Sequence, residues 1–284
     1  MTGSVVESKI HQKTADGWTA RLELEYAARQ ERTVLVRNRH QGPLVVQRPL
    51  YPEGEVCHTC ILHPPGGVVG GDRLEIDILA GEKTAALLTT PGATKFYRSA
   101  GKKAVQEQHL TVSNGALLEW FPQDNILFPG ADAIISTRVD LASTAQFMGW
   151  EIHCLGLPVN KERFTSGRLQ TNLAIYRDSS PLLLDRFRVA EEKDLDRCAG
   201  LRGFPVIATF IATSGKEDML PPLRDLTPRE KEALYGVTLV DDLLVARYLG
   251  HSTFAAHGLF TEIWTLLRPK IAGRCACAPR IWAT

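Results

Sequence analysis

Between Gln47 and Asp72, proline and glycine interrupt the chain so often that nothing longer than a short strand fits between them. The stretch runs Gln47-Arg48-Pro49-Leu50-Tyr51-Pro52-Glu53-Gly54, passes through Cys57-His58-Thr59-Cys60, and continues His63-Pro64-Pro65-Gly66-Gly67-Val68-Val69-Gly70-Gly71-Asp72. Pro65-Gly66-Gly67 and Gly70-Gly71 ask for backbone angles that other residues avoid, so two tight elements flank one short apolar strand. Similar loops follow around Pro91-Gly92-Ala93 and from Pro122 to Pro129-Gly130-Ala131. A chain punctuated this way turns often and runs extended in between.

The intervening segments alternate with period two. Arg21-Leu22-Glu23-Leu24-Glu25-Tyr26 and Arg73-Leu74-Glu75-Ile76-Asp77-Ile78 each put charges on one face and apolar groups on the other, and residues 169–175 repeat the pattern. This is the pattern of half-buried strands. Shorter β-rich runs lie at 33–36, 44–46, 84–88, 134–139 and 206–211. Strands recurring through most of the chain argue for an all-β sandwich, barrel or solenoid. The triplets Pro91-Gly92-Ala93 and Pro129-Gly130-Ala131 each follow a strand pair and hint at a repeated unit.

Helix is expected only late. Thr227-Pro228-Arg229-Glu230 reads as the start of a short one, with Thr227 as N-cap and Pro228 in the first turn. A second spans residues 252–267, with Phe254, Leu259, Phe260, Ile263, Trp264 and Leu267 as its apolar face and Pro269 as its stop. The tail ending Pro279-Arg280-Ile281-Trp282 is too apolar to hang free, so it docks on the body or on a partner. No linker composition appears, and residues 1–284 read as one unit.

With 33 Lys and Arg against 32 Asp and Glu, the net charge is +1. No basic stripe suits nucleic acid. No apolar run approaches the roughly 20 residues of a membrane span, and Met1 to Lys9 lacks the apolar core of a secretory leader. Six cysteines without a leader read as free thiols or metal ligands in a cytoplasmic protein.

Candidate chemistry falls in two groups. Cys57-x-x-Cys60 with His58 and His63 offers soft ligands for zinc or nickel, and a metal-dependent hydrolase would use them. The plainer reading is small buried thiols and strand histidines. The second group is acids within apolar strands: Glu119, Glu151 and Asp185, each on or beside an inward parity. Such carboxylates are costly unless ion-paired, metal-bound or facing a wet interior. If they converge, they make a polar internal path.

The motifs Tyr51-Pro52-Glu53-Gly54, His63 to Asp72, Pro91-Gly92-Ala93-Thr94-Lys95-Phe96-Tyr97-Arg98-Ser99 and Leu118-Glu119-Trp120-Phe121-Pro122-Gln123-Asp124 together resemble the UreD family of urease accessory proteins, called UreH in some organisms. The resemblance runs nearly end to end, from Gly42-Pro43-Leu44 to Pro279-Arg280-Ile281-Trp282. It implies a mostly β fold, a helix-like stack of many short strands in one continuous unit with two α-helices in the C-terminal third. It also implies a maturation factor without catalytic activity, which binds the urease apoprotein and recruits UreF and, through it, the GTPase UreG. Nickel would be a transient passenger rather than a tightly bound cofactor. A purely structural adaptor without nickel traffic is the alternative. The resemblance associates Asp72, Glu151 and Asp185 with an internal passage, to which the strand parity adds Glu119. It matches Cys57 but not Cys60. Trp264, Ile281 and Trp282 stand as candidates for the UreF-facing surface.

Overall fold

The computed structural model describes residues 17–283. The leader reading at Met1 to Lys9 lies outside these residues. The alternating segments become strands whose burial alternates in step: in Arg73–Ala80, Leu74, Ile76 and Ile78 are buried while Glu75 and Asp77 face outward. Seven strands form one sheet, in the order Ser180–Val189, Arg168–Arg177, Asp132–Leu141, Ala104–Val112, Arg73–Ala80, Thr19–Arg29 and Arg32–Gln41. Its five inner strands are mutually parallel, and the two outermost are antiparallel additions.

A second sheet lies opposite, running Leu234–Val240, Leu243–Gly250, Val206–Ala212, Gln146–Leu157, Leu117–Phe121, Ala85–Thr89, Cys57–Leu62 and Val45–Val46. Its middle strands are also parallel. The chain passes from one sheet to the other and back, so parallel neighbours arise from successive turns of a coil. The result is a β-solenoid-like stack of about 4 turns, as the family resemblance implied. A short third face closes each turn. It pairs Val68 with Phe96, Phe96 with Leu127 and Leu127 with Leu155.

This coil explains the loops. Gly70-Gly71, Ser99 and Pro129-Gly130 occupy one corner in successive turns, tied by Gly71 N–H to Lys103 O (2.9 Å) and Ser99 N–H to Gly130 O (2.9 Å). Pro64-Pro65-Gly66-Gly67, Pro91-Gly92 and Pro122-Gln123 occupy the corner before the third face. A repeating unit therefore exists, but the two Pro-Gly-Ala triplets sit at different corners of it. At Gly71 the φ of +98° selects glycine, whereas at Gly67 and Gly70 the reason is space. A Cβ there would meet the Tyr97 ring at 2.2 Å or the Lys102 carbonyl oxygen at 2.4 Å.

Two cores share the second sheet. One fills the gap between the sheets; the other lies between the second sheet and the helix Thr253–Ala272. The central strands of this sheet are consequently buried on both faces, and Leu117–Phe121 is buried throughout.

Both helix expectations need correction. The short helix is Leu220–Arg224, with proline in its first turn. Thr227 and Pro228 lie in irregular chain beyond it. There Glu230 accepts hydrogen bonds from Tyr248 Oη (2.7 Å) and His251 N–H (2.8 Å), pinning the segment to strand Leu243–Gly250 instead of coiling it. The long helix starts as expected, with Ser252 Oγ accepting from Ala255 N–H, but it passes through Pro269 to Ala272 and ends at Gly273 in the left-handed region. Pro269 deletes one bond near the helix end, while buried Leu267, Arg268 and Ile271 on either side hold that turn to the sheet. Among the described residues no helix is long and apolar enough to cross a membrane.

Candidate functional site

In a strand, residues two apart share a face. Odd-numbered Glu151 and His153 therefore point into the gap between the sheets, while Trp150 and Ile152 point to the helix. Register sets what surrounds them. Glu151, Thr209 and Arg247 lie side by side across three strands, and Gln108, Thr137, Leu173 and Asp185 lie side by side on the opposing sheet. Thr137 Oγ1 bridges the gap, within hydrogen-bond distance of Gln108 Oε1 (2.5 Å) and of the Glu151 carboxylate. Asp185 accepts from Arg247 Nη1 at 2.7 Å.

Two cavities occupy this gap. One, of about 360 Å³, is lined by Glu151, His153, Thr171, Asp185, Thr209 and Arg247, among others. The other, of about 280 Å³, is lined by His63, Gln106, Gln108, Trp120, Asn125 and Glu151, among others. Glu151 lines both. Trp120 Nε1 and His63 Nε2 are buried on the second cavity without a hydrogen-bond partner among the described residues. A buried unpaired donor costs about 1–3 kcal/mol, and a polar space this large accommodates water beside it. Burial pushes the His63 imidazole down from its ordinary range, opposed in part by the nearby Asp72 carboxylate.

Two of the four acids read as a path are therefore together in the gap, and two are elsewhere. Asp72 is buried at a corner, where its carboxylate accepts from Val69 N–H (2.9 Å) and Trp18 N–H (3.2 Å) and closes the Gly70-Gly71 turn. Glu119 points the other way, toward the long helix, and belongs to an ion cluster. Arg268 and Glu119 are both 0% exposed. The guanidinium donates Nε to Glu119 Oε1 (3.0 Å), Nη2 to Glu119 Oε2 (2.8 Å) and Nη2 to Glu53 Oε1 (2.9 Å), and Trp264 Nε1 donates to Glu119 Oε1 at 2.6 Å. His58 Nε2 meets Glu53 Oε1 at 2.7 Å.

Burial pushes the Glu119 carboxyl up in spite of Arg268 and Trp264. Burial alone would raise Glu53 too, but the bonds from His58 and Arg268 outweigh it and hold that carboxyl at about 2, against an ordinary 4.5. Because this value is depressed, Glu53 contributes stability that is present above pH 4.5 and is lost as pH falls toward 2. Glu53→Gln should lower the thermal midpoint at neutral pH. Its midpoint should also fall less steeply than wild type between pH 4.5 and 2. Parallel pH profiles for the two proteins would refute the assignment.

The Cys/His metal reading fails on strand geometry. Cys57 and Cys60 are three residues apart on strand Cys57–Leu62, so they occupy opposite faces. Cys57 is sealed between the sheets, whereas Cys60 lines an outer groove beside Pro279 and Ile281. His58 is bound to Glu53, and His63 faces the second cavity. Burial raises both thiols, opposing the thiolate that a metal requires. Among the described residues no group of three or more His, Cys, Asp or Glu side chains is disposed to hold a metal ion.

The C-terminal aromatics also differ from expectation. Trp264 is 0% exposed and cannot face a partner. Trp282 folds back onto the body: its Nε1 donates to Thr89 Oγ1 (2.8 Å), and its ring packs on Trp150 (5.4 Å), Trp264 (5.7 Å) and Phe121 (6.0 Å). Ile281 lies half-buried beside it. Sequence reading missed Arg268, Glu53, His153 and Arg247. Arg268 had a usable signal, four residues after Trp264 on the apolar helix face. So did His153, which shares parity with Glu151.

The model of the UreD urease accessory protein family matches residues 19–283. The chain belongs to the UreD family. The urease accessory protein UreD of Alcanivorax borkumensis is 47% identical over 273 residues, covering 94% of this chain and 93% of the relative. That of Dechloromonas aromatica is 45% identical over 274 residues, covering 94% and 95%. That of Citrobacter koseri is 40% identical over 283 residues, covering 99% and 97%. UreD membership assigns the chain to urease maturation and gives the two cavities a context.

Proposed function

We propose that this chain is a non-catalytic scaffold that binds the urease apoprotein in the cytoplasm, recruits UreF and through it UreG, and conducts nickel through the gap between its sheets. Family membership supports the maturation role. The observation that carries the nickel part is that Glu151 lines both cavities, with Asp185 on the wall of one of them. Charge is the contribution these side chains make: a divalent cation entering a low-dielectric body needs nearby carboxylates to offset lost hydration. Oxygen ligands hold nickel loosely enough to hand it on, whereas clustered thiolates would retain it. Arg247 must move off Asp185 for that carboxylate to serve a cation.

The test is Glu151→Gln together with Asp185→Asn, which keeps volume and removes charge. The folded variant should co-purify with UreF and apo-urease as wild type does, yet yield urease with several-fold less nickel by metal analysis. Normal loading by a folded, complex-forming variant would sink the conducting role and leave a structural adaptor.

A further inference from the structure

We infer that Glu151 and His153 form a transit site for a borderline divalent cation, with His153 as the donor that separates Ni²⁺ from Mg²⁺. The inference rests on the conducting role for access to the site, but it concerns a residue and a discrimination that role does not require. His153 is 5% exposed and lines the same cavity as Glu151, two residues away on one strand face. Its Nε2 stands 3.5 Å from Glu151 Oε2. A cation about 2.1 Å from both atoms would see them at roughly 110°, within reach of tetrahedral or distorted octahedral coordination.

The other ring nitrogen is already served. Asn125 Nδ2 lies 3.4 Å from His153 Nδ1, and turning that amide over presents its oxygen to Nδ1–H. In that arrangement the Nε2 lone pair is free for a metal, and the amide holds the ring in place as an outer-shell partner. Thr209, beside Glu151 in the neighbouring strand, faces the same cavity and leaves room for bound water. With one carboxylate and one imidazole the site is too poor in ligands to be a trap. Imidazole favours late first-row cations, while Mg²⁺ prefers oxygen ligands and its own waters. A passage lined by carboxylates alone would favour charge without identity; one imidazole adds identity.

The test uses the full chain with ¹⁵N-labelled histidine, titrated with NiCl₂ and separately with MgCl₂. Paramagnetic broadening by Ni²⁺ should reach the His153 resonance before those of exposed His109 and His251, and Mg²⁺, held through Glu151, should not give His153 Nε2 the large ¹⁵N shift of a directly coordinated nitrogen. His153→Gln should weaken calorimetric Ni²⁺ binding at least ~10-fold, and Asn125→Ala by about 10-fold through loss of the outer-shell partner. Mg²⁺ binding should be unchanged in both, whereas Glu151→Gln should weaken both cations. If exposed histidines broaden first, or His153→Gln binds Ni²⁺ as wild type does, the site is refuted and the pair is structural. If His153→Gln loses Ni²⁺ affinity but the complex still loads urease normally, the site stands and the conducting role fails. The wild-type broadening order needs no variant, so a poorly folding His153→Gln protein does not block the decision.

Discussion

Arg268→Leu is expected to destabilise the fold by about 3–5 kcal/mol, the range for removing one partner of a buried ion pair. The guanidinium is the only cation touching Glu119 among the described residues, and it also grips Glu53 from the opposite side. Its loss leaves a carboxylate with 0% exposure and only the Trp264 indole as donor. Urea denaturation should show a large fall in midpoint, or expression should yield insoluble protein. Arg268→Lys should be intermediate, because an ammonium cannot reproduce the fork that spans two carboxylates. Combining Arg268→Leu with Glu119→Leu and Glu53→Gln should recover much of the loss, since the expensive species is the orphaned charge. An Arg268→Leu protein within 1 kcal/mol of wild type would show that the cluster is not what fastens the helix to the sheet.

Trp282→Ala should cost about 3 kcal/mol, near the lower end for truncating a packed aromatic, because the ring is half-buried. The ring touches Trp150, Phe121 and Trp264, and its N–H is bonded to Thr89, so truncation opens the second core at its edge. Trp282→Phe keeps the packing and gives up the hydrogen bond, for about 1 kcal/mol. Thermal melts of the two variants check the order. The sequence left the tail to dock on the body or to face UreF, and these contacts favour the body over the UreF reading. Unchanged stability together with lost UreF co-purification would restore that earlier reading.

The strands, corners and late helix were legible because each is a local property. Alternation in Arg73–Ala80 states which side is buried, and Pro64 to Gly71 states where the chain turns. The corner equivalences were not legible, since corresponding corners carry unlike residues such as Gly70-Gly71 and Pro129-Gly130. What joins them is stacking between turns, which no single segment encodes. Glu119 shows the limit most clearly. Its parity revealed a buried carboxylate, but the choice between ion pair and cavity depended on which face met the helix. Glu53 was read as part of a turn because Tyr51-Pro52-Glu53-Gly54 looks like punctuation. Pro269 hid Arg268 by placing the expected helix end at Leu267, five residues before the observed end at Ala272. Cys57 and Cys60 invited a metal reading that fails once the segment is known to be a strand.

The ion cluster has a temporal side. Glu119 meets its counter-charge 149 residues downstream, and Glu53 meets the same group after 215. At the pace of synthesis, roughly 5–20 residues per second, Arg268 emerges about seven to thirty seconds after Glu119. Through that interval the early coils can assemble on the ribosome, but the surface carrying Glu119 must stay wet. The last helix thus works as a completion mark: a prematurely terminated message yields a chain whose interior acid never finds its match, and such a chain remains open to proteolysis.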